Sequence, residues 1–156
     1  MEDTLLLIKP DGVQRRLVGQ ILARLEAKGL QIVGIRMMQI PEALAEKHYA
    51  VHKGKPFYPG LIRYFISGSV VALVVRGKNA IAVTRGMMGA TFGSKAAPGT
   101  IRGDFGISDG FNLIHGSDSP AAAAQEIPLY FKPEDISAVA PVDLAWVYDT
   151  TGGSPV

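Results

Sequence analysis

The sequence predicts an α/β protein of the α+β kind, a ferredoxin-like βαββαβ sandwich with a four-stranded antiparallel sheet. Short apolar or β-branched runs alternate with segments of helical period in the order that this fold requires. The 156 residues suffice for one hydrophobic core. A content of 47% apolar and 19% charged residues is typical of globular proteins and excludes a disordered chain.

The N-terminal segment predicts the first strand and the first helix. Thr4 to Ile8 is a short apolar run closed by Pro10 to Gly12, which indicates a strand that ends in a turn and leaves Lys9 in a loop. Apolar side chains then recur at helical spacing over 17–25, and Gly29 follows as a left-handed cap.

The next segment predicts a second strand and a helical hairpin inserted before the third strand. Gln31 to Ile40 is apolar and partly β-branched, as strands often are. Pro41 opens a helix that we expect to run to about Val51. A turn-rich stretch follows over 52–60, and helical period returns over 61–66, which completes the hairpin insertion.

The second half predicts two more strands and two more helices around a long loop. Ser69 to Arg76 indicates a buried strand, and Asn79 indicates the N-cap of the next helix. Residues 89–110 have little periodicity and six glycines, so we expect the active-site loop here, because loops of that length usually serve function. Asn112 to His115 is a brief strand, and Ser119-Pro120 starts the last helix.

We expect a single domain over residues 1–156, with a core over 3–131 and a C-terminal extension over 132–156. The acidic start, the absence of cysteine and a longest apolar run of only Val70 to Val75 predict a cytoplasmic protein without a membrane partner. A net charge of +2 suits an anionic ligand but predicts at most weak, nonspecific nucleic-acid binding.

The usual nucleotide-binding motifs are missing from the sequence. Gly54-Lys55 and Gly77-Lys78 lack the glycine that a P-loop has five positions earlier, and no G-x-G-x-x-G follows a strand. Any phosphate site must therefore be built from side chains. Each candidate could alone be a solvated charge or a turn residue, and only their joint placement in or beside loops favours a site. The candidates are Lys9, Arg85, Thr91, Arg102 and Asn112.

His115 is the candidate nucleophile. It ends an apolar stretch and precedes Ser117 and Ser119 at the entrance to a helix, whose N-terminus favours anions. A histidine with a pKa of ~6.5 is largely unprotonated at neutral pH and can act as a nucleophile. Glu126 on the following helix could fix its tautomer. The residues alone leave open a structural or capping role for His115.

Two histidines and two aromatic residues can be explained by structural roles as well as by functional ones. His48 and His52 have the i, i+4 spacing of a metal-binding pair. However, Tyr49 occupies the place of the glutamate in an H-E-x-x-H motif, and no third ligand stands nearby in the sequence. We therefore expect both to be helix-surface residues, with the ring of His48 packed. Tyr49 and Phe57 flank the hairpin turn, where they could be packing residues or a platform for stacking a nucleobase.

Asn112 to Ser119, with the sequence NLIHGSDS, resembles the active-site signature of nucleoside diphosphate kinases. Residues 4–13, the segment from His48 to Tyr58 and residues 98–105 resemble the family in order and spacing. The resemblance covers roughly residues 3 to 131 and is highly specific at the signature.

This resemblance implies that His115 is phosphorylated through a ring nitrogen while it carries the γ-phosphate of ATP to a nucleoside diphosphate in a ping-pong cycle. It also implies that Glu126 and Ser117 support the histidine and that Phe57 stacks on the base. Mg²⁺ would be carried by nucleotide phosphates and not directly by protein side chains. The residues implied to hold phosphates and ribose are Lys9, Tyr49, Arg85, Thr91, Arg102 and Asn112.

The resemblance further implies a homo-oligomer, with a hexamer favoured over a tetramer. The sequence departs from the family pattern at Phe92 to Lys95, where Asn-Pro is usual after Thr91, and at Phe111, where a basic residue is frequent. Three alternatives remain open: a nucleotide-binding scaffold without catalysis, a nucleic-acid-binding activity, and phosphotransfer from histidine to another protein.

Overall fold

The computed structural model describes residues 1–153 and residue 155. Its strands are β1 (Glu2–Ile8), β2 (Gln31–Gln39), β3 (Ser69–Gly77) and β4 (Ile114–Gly116). Its helices are α1 (Pro10–Gln14), α2 (Val18–Ala27), α3 (Glu42–His48), α4 (Tyr58–Phe65), α5 (Ala80–Met88), α6 (Ile101–Phe105), α7 (Pro120–Tyr130) and α8 (Leu144–Val147).

The four strands form one sheet in the order β2-β3-β1-β4, and every neighbouring pair is antiparallel. Because β1 lies inside this sheet, its alternating side chains feed two cores: Leu6 and Ile8 pack on one face, and Leu5 and Leu7 on the other. This architecture confirms the predicted ferredoxin-like sandwich. In the register of β1 with β4, His115 lies opposite Leu7.

Three expected local structures are wrong in detail. The turn expected at Pro10 to Gly12 is helix α1, since proline at the first helical position already has the required φ. The loop 89–110 contains α6, whose cap Thr100 accepts a hydrogen bond from the backbone N–H of Gly103. The last strand begins at Ile114, two residues later than expected, because Leu113 has a φ of 69° and cannot continue an extended strand.

The C-terminal extension folds back over the start of β2. Val147 packs on Gly29, whose φ of +85° matches the predicted left-handed cap, and the Tyr148 hydroxyl accepts a hydrogen bond from the N–H of Lys78. Residues 154 and 156, which belong to the predicted extension, lie outside the described residues. None of the helices in the described part of the chain is long and apolar enough to cross a membrane.

Candidate active site

His115 is held at the edge of the sheet by a carboxylate from α7. Its Nε2 lies 3.2 Å from Oε2 of Glu126, and the Ser117 hydroxyl donates to the same oxygen over 2.6 Å. Burial raises the pKa of the Glu126 carboxyl. The hydrogen bonds with His115 and Ser117, together with the charge of His115, outweigh the effect of burial and bring this pKa below its ordinary value. The contact occupies Nε2 and leaves Nδ1 as the other ring nitrogen. The structure therefore brings these three side chains together.

Lys9 and Asn112 form the floor of the site. Lys9 follows β1 directly and is 6% exposed, and its Nζ donates to Oδ1 of Asn112 over 2.7 Å. The Asn112 amide donates in turn to the carbonyl of Thr91 over 3.0 Å. Burial, followed by the charge of Arg102, lowers the pKa of Lys9 to about 8, although Asp11 partly opposes the shift. A buried ammonium with neutral acceptors is suited to bind an anion.

Arg102 is buried and braces the loops on either side of the site. Its guanidinium donates to the carbonyls of Gly89 over 2.9 Å, Asn112 over 3.0 Å and Ile114 over 2.6 Å. Burial and the charge of Arg85 lower the pKa of Arg102 to about 10. The resemblance assigns Arg102 to the phosphates, and its bonds here show an additional structural role that sequence patterns do not reveal.

A cavity of about 330 Å³ unites most of the predicted site, a volume at the small end of ligand pockets. Ser117 is buried and does not belong to the lining, but its hydroxyl donates to the lining residue Glu126. Phe57 lies outside the lining with 54% of its surface exposed, and its ring faces His52 at 5.5 Å. The predicted residues that line the cavity are Lys9, Tyr49, Arg85, Thr91, Arg102, Asn112, His115 and Glu126.

A larger cavity of about 430 Å³ lies elsewhere, between the start of β2 and the C-terminal extension. Its charged lining residues among those described are Glu26 and Asp143, both acidic. Such a cavity repels phosphate, so we assign the anion site to the smaller cavity beside His115 despite its lesser volume.

Asp11 shapes the site from outside the cavity lining, a role that the sequence did not reveal. Its carboxylate accepts hydrogen bonds from the Tyr64 hydroxyl and, over 3.1 Å, from the backbone N–H of Leu113. Leu113 has a left-handed backbone, which a bulky residue adopts only when its surroundings enforce it. Asp11 thereby fixes the turn that leads into β4. Nothing in a Pro-Asp-Gly sequence distinguishes this role from that of an ordinary turn residue.

His48 lies inside the fold, so its expected position on a helix surface is wrong, while the expected packing of its ring is confirmed. It is 7% exposed, and its ring centroid lies 4.5 Å from that of His115 and 4.6 Å from that of Tyr49. Neither of its ring nitrogens has a hydrogen-bond partner among the described residues. Burial, followed by the charge of His115, lowers the pKa of His48 to about 3.

The fold and the site together define a class of enzyme that moves an anionic group. An edge strand presents a carboxylate-supported histidine to a cavity that also contains lysine and arginine side chains. The family model described as nucleoside diphosphate kinase matches residues 2–136.

Individual relatives agree over nearly the full chain. A nucleoside diphosphate kinase of Pelotomaculum thermopropionicum is 56% identical over 149 residues, which cover 96% of this chain and 100% of the relative. One from Carboxydothermus hydrogenoformans is 54% identical over the same shares. The solved structure of a halophilic nucleoside diphosphate kinase from Halobacterium salinarum in complex with CDP has a TM-score of 0.93 at 49% identity, covering 95% of this chain and 99% of that one. The chain belongs to the nucleoside diphosphate kinase family and is a phosphotransferase.

Proposed function

We propose that this enzyme transfers the γ-phosphate of a nucleoside triphosphate, typically ATP, to a nucleoside diphosphate in a ping-pong cycle through His115. The observation that carries the proposal is the 3.2 Å contact between Nε2 of His115 and Glu126. A proton held on Nε2 leaves the lone pair on Nδ1, which makes Nδ1 the nucleophile.

In the first half-reaction, Nδ1 attacks the γ-phosphorus and the bond from phosphorus to the bridging oxygen breaks, so that the diphosphate leaves with the bonding electrons. In the second, a terminal oxygen of another nucleoside diphosphate attacks the same phosphorus and the P–N bond breaks. The ring is positively charged while it carries the phosphoryl group, and the Glu126 carboxylate stabilises that charge through Nε2.

The predicted phosphate ligands suit this chemistry, because phosphoryl transfer depends on positioning and on neutralising charge. Lys9, Arg85 and Arg102 supply cations on the cavity wall. The buried hydroxyl of Tyr49 has no hydrogen-bond partner within the described residues, which leaves it available to a phosphate oxygen. Phe57 stands exposed outside the cavity, where a base could stack on it.

Mg²⁺ fits this site as a companion of the substrate. The carboxylates in the described lining are Asp118 and Glu126, and Glu126 is already engaged by His115 and Ser117. That set is too small for a cage built from protein side chains, whereas Mg²⁺ commonly binds substrate phosphates and keeps several waters. When bound, the ion would neutralise phosphate charge.

We also propose a homo-oligomer, hexameric rather than tetrameric. Ile35 and Met37 on the edge strand β2 are 56% and 61% exposed in the single chain, and an assembly that covers them would remove this apolar surface from water. Native mass spectrometry distinguishes the two states, and a monomer would contradict both.

Steady-state kinetics tests the cycle. Initial rates at varied ATP and several fixed concentrations of a nucleoside diphosphate are expected to give parallel double-reciprocal lines, and His115→Ala is expected to abolish turnover. Intersecting lines together with an active His115→Ala variant would contradict the ping-pong cycle and indicate direct transfer between two bound nucleotides. Nucleotide binding without any turnover would favour the scaffold alternative.

A further inference from the structure

His48 is a buried histidine whose ring is held in place but whose nitrogens are not used. The rings of Tyr49 and Phe65 pack against it at centroid distances of 4.6 and 5.7 Å, and Tyr130 lies 5.7 Å away. Yet neither nitrogen has a hydrogen-bond partner within the described part of the chain. Buried polar atoms nearly always have a hydrogen-bond partner, so two unpaired nitrogens on one buried ring point to a water, ion or ligand that binds them.

The unpaired ring faces two side chains that also bind metals well. His48, His115 and Glu126 can each bring one ligand atom to within 4.8 Å of the other two. These ligands come from three separate elements, α3, β4 and α7, which meet where His115 contacts His48 and Glu126. Zn²⁺ bonds of about 2.0–2.1 Å put neighbouring tetrahedral ligand atoms ~3.3 Å apart. Contraction of the separations from within 4.8 Å to that distance, by about 1.5 Å at most, would close the site.

We propose that His48, His115 and Glu126 form a reversible three-ligand site for Zn²⁺, whose occupation excludes phosphorylation of His115. Two imidazoles and one carboxylate are a donor set that favours zinc and disfavours Mg²⁺, which prefers oxygen ligands and octahedral geometry. The hydroxyl of Ser117 orients the carboxylate from behind, as an outer-shell partner does in zinc proteins. The adjoining cavity leaves the fourth position open to water.

The exclusion of phosphate does not depend on which nitrogen of His115 the ion binds. An ion on Nδ1 takes the lone pair that would attack phosphorus. An ion on Nε2 displaces the proton that Glu126 holds there, and the neutral ring then carries its proton on Nδ1. Either arrangement removes the nucleophile. This effect rests on the proposed function, whereas binding of the metal does not.

Zinc binding is measured on the intact, metal-stripped chain by competition with a chromophoric chelator, comparing wild type, His48→Phe and His52→Phe. Phenylalanine keeps an aromatic ring at position 48 but supplies no ligand, and His52 lies one turn further without belonging to the cluster. We expect one Zn²⁺ per chain, an affinity about 100-fold or more lower in His48→Phe, and no change in His52→Phe.

Glu126→Gln provides a second variant, because the amide retains the size of the carboxylate, and it is expected to weaken zinc binding as His48→Phe does. Visible spectra with Co²⁺ as the probe report a tetrahedral environment in wild type that both variants lose. Equal zinc affinity in wild type, His48→Phe and Glu126→Gln would overturn the site.

A separate readout concerns the exclusion itself. Zn²⁺ is expected to prevent labelling of His115 by Mg²⁺ and ATP in wild type, and a chain that binds zinc yet is labelled at the normal rate would overturn the exclusion. A chain that binds zinc at these residues but is never labelled would refute the proposed cycle and leave the metal site standing.

Discussion

Nζ of Lys9 lies 2.7 Å from Oδ1 of Asn112, and this hydrogen bond joins the end of β1 to the segment before β4. The lysine is buried against a neutral amide, and the nearby Arg102 repels its charge. A phosphate beside Nζ would give Lys9 an anionic hydrogen-bond partner in place of the neutral amide of Asn112. Burial thus makes the charged form of Lys9 costly, and an anion beside it would offset that cost.

Nucleotide binding is expected to be coupled to proton uptake by Lys9. In the free protein its pKa is lowered to about 8, and contact with phosphate raises it, so at pH 8.5 the complex binds about three-quarters of a proton more than the free protein. At pH 7 the uptake from Lys9 falls to about a tenth of a proton, because the lysine is already mostly protonated in the free protein. Calorimetry of diphosphate binding in buffers with different ionisation enthalpies measures the difference.

Lys9→Met serves as the control for this linkage, since it keeps the length of the stem and removes the titrating group. The variant is expected to bind nucleotide more weakly and without the uptake at pH 8.5. An equal uptake in Lys9→Met would assign the proton to another group, whereas no uptake in wild type would contradict the lowered pKa.

The carboxylate of Glu126 is expected to control the tautomer of His115. In Glu126→Gln the amide can no longer stabilise a positive ring, and we expect phosphorylation to slow by ~10²-fold, less than the ~10⁴-fold loss seen for a fully buried Asp–His pair. Nitrogen chemical shifts of the His115 ring would report the loss of the proton from Nε2. Ser117→Ala removes one donor to Glu126 and should have a smaller effect in the same direction.

Alanine variants of Arg102 and Arg85 are expected to differ in their free energy of unfolding but to lose turnover to a similar extent. Arg102→Ala leaves several buried carbonyls without a donor and should lower the free energy of unfolding by about 3 kcal/mol, while the exposed Arg85 should tolerate alanine within about 0.5 kcal/mol. Both variants should slow turnover by roughly 10²–10³-fold. Chemical denaturation alongside initial rates tests this, and equal stability losses would contradict the bracing role of Arg102.

Phe57 is expected to affect substrate affinity more than the chemical step. Because its ring is largely exposed, Phe57→Ala should leave stability unchanged, but the loss of a stacked base should raise KM by ~10-fold, since such stacking contributes about 1–3 kcal/mol. Phe57→Tyr keeps an aromatic face and should restore KM. A tyrosine variant as impaired as the alanine variant would mean that the ring does not stack on the base.

The fold and most of the site were predictable because local patterns dictate them. The apolar run of β1 and the alternation of strands and helices predict the sheet, and the signature around His115 indicates the proposed nucleophile. Three features escaped prediction. They are the role of Asp11, the contact of His48 with His115 and the bracing by Arg102, which all depend on contacts between segments distant in sequence. A proline-aspartate turn or a helical histidine has no local feature that indicates such partners.

The proposed carrier role of His115 is tested most directly by intact mass after incubation with Mg²⁺ and ATP, followed by a chase with a nucleoside diphosphate. We predict one acid-labile phosphate per chain in wild type, its removal by the chase with formation of the triphosphate, and no label in His115→Ala. A folded, nucleotide-binding wild type that acquires no phosphate, or a His115→Ala variant labelled as fully as wild type, would contradict the proposal.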